Sequence, residues 1–297
     1  MQILAEDIAE TLPTAKAFFV SSEAFSGHIA KFPHLPEDIA FYRIAPQQAQ
    51  FLADALGDLP VSVQVVVYLR QQADFIESAY RQIIHQGSST SLDDYLADID
   101  LGVDFRWDTL VDSYAAIYGQ DNVHVVNFDE ARKTTGLWKP LEDIIGHPVA
   151  GDDLPKGNIS YSPAALELAR HANPLLTDRQ RVKMRQFMQR PDLASGPVLP
   201  LIDAAMRARI YDIYRPFNLA LAEKYGIALT YPDGLSAPSL PSADLKPEPD
   251  QIVLAKALAA LQELQVAHDR LKGMIHAQNR ETQRLKDEIV TLKQRIP

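Results

Sequence analysis

The sequence predicts an α/β fold: a parallel sheet flanked by helices, joined by a linker to a long C-terminal helix. Three observations carry this reading. "VSVQVVVYL" (61–69) and "NVHVVNFDE" (122–130) are apolar runs of strand length, valine-rich at successive positions, as strands covered on both faces are. Segments of helical spacing alternate with them, the pattern of a layered α/β sheet. From 251 onward, apolar residues recur every third and fourth position without interruption.

Taken in order, residues 2–12 read as a short amphipathic helix closed by Pro13, and "AFFVSSE" (17–23) as a short strand running into small polar residues. "PQQAQFLADALG" (46–57) has helical spacing with Gly57 as its stop. After the first valine-rich strand come three helices: "DFIESAYRQIIHQG" (74–87), "SLDDYLADI" (91–99) and "DTLVDSYAAIYG" (108–119). "LWKPLEDIIG" (137–146) is a helix after the second strand, and from 162 to about 226 the pattern is helical only. "SPAALELARHA" opens with serine before proline, a helix-start signal, and "TDRQRVKMRQFMQR" (177–190) is a helix with a basic face. "MRARIYDIYRPFNLALAEKYG" closes the α/β domain, assigned to 1–231. The proline-, serine- and acid-rich stretch 232–250 is a linker. Residues 251–297 form a coiled-coil helix. Its seam runs from Leu254 through Leu261, Leu264, Leu271, Ile275, Leu285 and Ile289 to Ile296, with polar His268, Gln278 and Thr282 as register-setting positions. A homo-oligomer through this segment is expected; the other reading is a lone helix folded back on the domain.

Composition bounds the function. At 297 residues the chain has room for one good-sized domain and an appendage. A net charge of −10 disfavours nucleic acid as a partner. The absence of cysteine removes disulfides, thiolate metal sites and cysteine nucleophiles, and fits a reducing compartment. No apolar run approaches the roughly 20 residues that span a bilayer, and the acidic start is no secretory signal, so the expected location is cytoplasmic. The eight histidines show no metal-ligand spacing, and no metal is expected.

The stretch most able to carry chemistry is "VVVYLRQQADFIESAYRQ" (65–82). Open α/β sheets bind ligands at the carboxyl ends of their strands. Arg70 stands at such an end, beside the start of a helix whose amino terminus favours anions. A guanidinium grips phosphate bidentately, and Ser78, two turns on, offers a hydroxyl to the same anion. The alternative is structural: Arg70 pairs with Asp74, and Ser78 is a small residue chosen for close packing.

This segment resembles the 3′-phosphate segment of the sulfotransferase family, which places an arginine at a strand end, a serine eight residues later and then an aromatic, here Arg70, Ser78 and Tyr80. In order along the chain, "FFVSSEAFS", "DSYAAIYGQDNVHVVNFDE", "KGNISYSPAALELARHAN" and "NLALAEKYG" resemble further segments of bacterial sulfotransferase-like proteins associated with polysaccharide modification. The likeness covers roughly 5–230. It implies a parallel-sheet, P-loop-like sulfotransferase fold, 3′-phosphoadenosine 5′-phosphosulfate as co-substrate, and Arg70 and Ser78 on its 3′-phosphate. It also implies Lys156, Gly157, Asn158 and Ser160 in a loop over that phosphate, unless "LPKGNIS" is simply the loop before the helix at Ser162. The implied reaction is sulfuryl transfer to a hydroxyl, with a carbohydrate as the expected acceptor. Glu23 is the candidate proton acceptor, or else a helix-start residue, and Ser21, Ser22 and His28 are candidate substrate contacts. The sequence departs from the family in one respect: it has no lysine–small–glycine–threonine–threonine loop to hold the 5′-phosphosulfate. The expectation is therefore an N-terminally incomplete fold, its first strand and loop missing upstream of Met1, with the exposed sheet edge covered by residues 2–12 or by a second chain. A different class of reading follows from the same gap: a catalytically inactive sulfotransferase-like scaffold assembled through its coiled coil. A kinase-like nucleotide protein would need the same absent loop. The basic helix, with Arg179, Arg181, Lys183, Arg185 and Arg190, reads as a solvated face or as a surface for an acidic glycan.

Overall fold

The computed structural model describes residues 2–11, 17–20, 26–31, 36, 39–57, 59–149, 160–190, 200–229 and 250–295. The chain divides into two units, 1–244 and 245–297. In the first, α1 (Gln2–Thr11) and α2 (Ala45–Leu56) precede β1 (Val65–Leu69). Then come α3 (Gln72–His85), α4 (Leu92–Asp98), α5 (Trp107–Tyr118) and β2 (Val123–Asn127). The rest is helical: α6 (Phe128–Lys133), α7 (Lys139–Ile145), α8 (Pro163–Ala172), α9 (Asp178–Met188) and α10 (Ala204–Tyr225). The second unit is the single helix α11 (Asp250–Arg295). The predicted linker 232–249 lies outside the described residues.

Helix starts follow the caps that the sequence supplies. Ser91 Oγ accepts the Asp94 amide at 3.1 Å, Ser162 Oγ that of Ala165 at 3.3 Å and Asp203 Oδ1 that of Met206 at 2.7 Å. The same chemistry shortens the second strand. Asn127 Oδ1 accepts from the amides of Asp129 and Glu130, so the chain turns helical at Phe128 instead of extending to 130.

β1 and β2 pair in parallel, with Val65 opposite Val123 and Leu69 opposite Asn127. Among the described residues they form a two-stranded sheet, smaller than the valine-rich runs suggest. The expected coverage on both faces is also not met: Val65, Val66, Val67 and Tyr68 are half-buried, and 61–64 lies outside the ladder. Of the strand expected over 17–23, residues 17–20 are described; they pair with no described neighbour, and Phe18, Phe19 and Val20 are exposed.

The core is organised around α3 instead. Gln72, Ala73 and Ile76 have no exposed surface, and Ala79, Tyr80, Ile83 and Ile84 are buried with them. Tyr95, Val111, Tyr161, Leu166, Ile210, Tyr214 and Leu221, drawn from helices on several sides and the segment before α8, complete that cluster. Polar residues of α3 are buried too, and each meets a partner from far along the chain. Gln72 and Asn218 exchange side-chain amide hydrogen bonds of 2.9 and 2.8 Å. Arg207 donates to Asp74 and, at 2.5 Å, to Glu77, whose carboxylate also accepts the amides of Leu201 and Ile202. Arg81 donates to the Tyr161 carbonyl at 3.0 Å. Burying a charge is tolerable only when it is paired in this way.

Candidate functional site

Arg70 is the first residue beyond β1, and Gln71 caps α3. The Gln71 side-chain oxygen accepts from the amides of Ala73 (2.8 Å) and Asp74 (3.3 Å), which orients its nitrogen the other way. That nitrogen, on a residue 7% exposed, is buried without a hydrogen-bond partner. The backbone is pinned here as well, since Trp107 Nε1 donates to the Arg70 carbonyl at 2.7 Å. The Arg70 guanidinium pairs with Asp129 rather than with the Asp74 carboxylate: Nε donates to Asp129 Oδ2 at 2.9 Å. The cause is register. Leu69 and Asn127 are level in the sheet, so the residues just past each strand meet. Both partners are more than a quarter exposed, so the pair contributes at most about 1 kcal/mol.

Arg70 Nη1 also lies 3.4 Å from the Asp74 carbonyl. In an α-helix that carbonyl receives the amide of residue 78, so the guanidinium sits within about one helical turn of Ser78, which is exposed on the same face. Arg70 thus lies just before α3 and Ser78 midway along it, about one turn beyond the Asp74 carbonyl that the guanidinium approaches. The anion-favouring amides expected at the start of α3 are already occupied by Gln71.

Next to Arg70, β1, α2 and α5 enclose a cleft of about 820 Å³. Its walls are valines of β1 and the rings of Tyr42, Phe75 and Trp107. Arg70 is the only charged side chain among the described lining residues. Phe75 and Trp107 meet edge to face with ring centroids 5.0 Å apart. Phe41, Tyr42 and Phe105 hold positive φ angles of 52°, 63° and 54°, uncommon for bulky side chains. Ring packing and the Arg43–Asp104 ion pair (2.8 and 2.9 Å) hold this turn in place. Ser26 and the Tyr114 hydroxyl, 3.0 Å apart, are polar groups deeper in the cleft, where burial pushes the Tyr114 phenol up and keeps it neutral. Ile8 of α1 is buried and lines the same cleft.

The other candidates divide. Ser21, Ser22, Glu23, Lys156, Gly157 and Asn158 lie outside the described residues. His28 is exposed, and its backbone bonds Ile39 and Tyr42 at 2.9 and 3.2 Å; it does not line the cleft. Ser160 precedes Tyr161, which stacks on His85 at the far end of α3, so the described contacts do not join it to Arg70. Asp129 and the aromatic wall went unnoticed in the sequence. Asp129 was signalled by its place two residues past the second strand, close to the level of Arg70 one residue past the first.

Among the described residues no group of three His, Asp or Glu is placed to hold a metal ion, and no helix is long and apolar enough to cross a membrane. Comparison of the chain with family models, with curated proteins and with solved structures returns no match.

Proposed function

We propose that this chain binds a nucleotide carrying a 3′-phosphate and acts as a sulfotransferase-type protein, moving a sulfuryl group from 3′-phosphoadenosine 5′-phosphosulfate to a hydroxyl of a carbohydrate. The observation that carries the nucleotide reading is the one positive charge among the described lining residues of an aromatic-walled cleft: Arg70 beside Tyr42, Phe75 and Trp107. A purine needs flat apolar walls and its phosphate needs a guanidinium, and the cleft supplies both. Arg70 and Ser78 would hold the 3′-phosphate, which distinguishes this donor from ATP and AMP. The co-substrate supplies the sulfuryl group, and Glu23 is the candidate acceptor of the hydroxyl proton. Calorimetry with adenosine 3′,5′-bisphosphate and with AMP tests the reading. Arg70→Ala is expected to weaken the bisphosphate about tenfold or more, with little change for AMP. Equal losses for the two ligands, or none, overturn it.

One observation favours a second reading, an inactive scaffold assembled through α11. Leu261, Leu264, Leu271, Ile275, Leu285 and Ile289 are each about half exposed or more along that helix, at the spacing of a coiled-coil seam. Bisphosphate binding without transfer of labelled sulfate to any glycan hydroxyl would favour the scaffold.

A further inference from the structure

The far end of α3 carries a second, unassigned cluster. The basic face of α9 is two faces. Arg179, Lys183 and Arg190 are exposed, whereas Arg181 and Arg185 are half-buried on the side that also carries Met184 and Met188 into the core. Arg181 lies over Gly87, whose φ of +107° and missing Cβ leave room for the guanidinium. A Cβ there would stand 2.7 Å from Arg181 Nη1. Two residues earlier is His85, its ring 3.9 Å from that of Tyr161, and Arg81 reaches the Tyr161 carbonyl.

Among the described residues, donors outnumber acceptors here. His85 Nε2 and Arg181 Nε are buried without a hydrogen-bond partner, and Arg185 makes no ion pair among the described residues. The carbonyls ending α3 do not absorb them: Ile83 O takes the Ser88 amide, and Ile84 O takes the Gly87 amide and Asn173 Nδ2. Of the nearby acids, Glu77 is bonded to Arg207, and Asp178 faces solvent against Arg181 Nη2. Buried donors left without acceptors are destabilising unless a ligand supplies the acceptors.

We propose that Arg181, Arg185 and His85 form a binding site for a small tetrahedral oxyanion, a phosphate or sulfate group, at the end of α3 opposite Arg70. An acceptor-only group with several oxygens satisfies all three donors at once. The partial burial of the cluster limits the ligand to a free ion or the end group of a small ester. The site lies at the end of α3 away from Arg70, 14 residues of helix or about 20 Å on, and about 10 Å along the helix from Ser78. Burial, followed by the nearby Arg185 and Arg81, holds His85 down to about 4, so at neutral pH the free site carries a neutral imidazole, which donates to the anion in its Nε2–H tautomer.

The test is a titration of the full chain with inorganic phosphate, and separately with sulfate, followed by calorimetry and by the His85 ring-proton resonance. Saturable binding with a shift of the His85 resonance is expected. Arg181→Gln and Arg185→Gln should each lower phosphate affinity about tenfold or more, while Arg179→Gln on the exposed face leaves it unchanged. The Arg70→Ala chain should give the same His85 response as the unaltered chain. Phosphate should also raise the Tm of the unaltered chain and not that of Arg185→Gln, a readout that persists if the variant is less stable. A His85 resonance indifferent to both ions, or a response abolished by Arg70→Ala, overturns the proposal. Sulfate alone binding would assign the site to sulfate esters, and phosphate binding to phosphate esters; either outcome supports it.

Discussion

At the scale of single residues, charges gathered around one helix decide both binding and stability. Asp129 competes with any anion for Arg70, so Asp129→Asn should strengthen adenosine 3′,5′-bisphosphate binding severalfold by calorimetry, the opposite direction to Arg70→Ala. Arg207 is the cation bonded to Glu77, a carboxylate 8% exposed. Arg207→Ala should lower stability by about 3–5 kcal/mol in urea unfolding, because it strands buried acid. His85 has a pH signature. Its folded value, about 4, lies below the ordinary imidazole value of 6.5. Between those two values the unfolded chain binds a proton that the folded chain refuses. Stability from this residue therefore falls as pH drops from 6.5 toward 4, at most about 1.4 kcal/mol per pH unit, and is unaffected above 6.5. His85→Gln should flatten that part of the stability–pH curve in the absence of phosphate.

At the scale of elements, α3 takes the place that the sequence suggests for the sheet. Replacing Asn218 by Ala leaves the Gln72 side-chain oxygen buried without its donor and its nitrogen with only the 3.4 Å contact to the Phe105 carbonyl, and should cost about 1–3 kcal/mol. The double change Gln72→Leu with Asn218→Leu should cost less than the sum of the single changes, measured as a double-mutant cycle. Helix positions were legible because they rest on local signals: spacing, Ser91 and Ser162 as caps, Gly57 and Gly87 as stops. The strand at 61–69 was legible in kind but not in extent. Whether 61–64 joins a ladder depends on a neighbour, and no local pattern specifies one. For the same reason "AFFVSSE" has strand composition without strand pairing in its described part. Arg70 was legible as a charge at a strand end. Its pairing with Asp129 was not, because it follows from strand register across 59 residues of chain. The division of the α9 arginines into exposed and inward sets was hidden because the sequence counts charges and not the face each occupies.

At the scale of the whole molecule, the second unit poses its own problem. α11 is 46 residues long, about 69 Å, and its described apolar positions between Leu261 and Ile289 are open to solvent. Such a helix is expected to associate with copies of itself. Sedimentation equilibrium should show an oligomer that dissociates to monomer on Leu271→Asp with Ile275→Asp; an unaltered mass would remove the coiled coil from the account. The polar partners of α3 have a further consequence, for the order of events in folding. Gln72 waits for Asn218, Asp74 for Arg207 and Glu77 for Leu201, separations of 146, 133 and 124 residues. Contacts of that range slow folding, since a long loop must close before any is rewarded. On the ribosome, α3 emerges well before its partners, and at roughly 5–20 residues per second it stays exposed for several seconds or more. Chains released short of residue 218 would leave its buried amide and carboxylates unmatched, and are natural clients for chaperones.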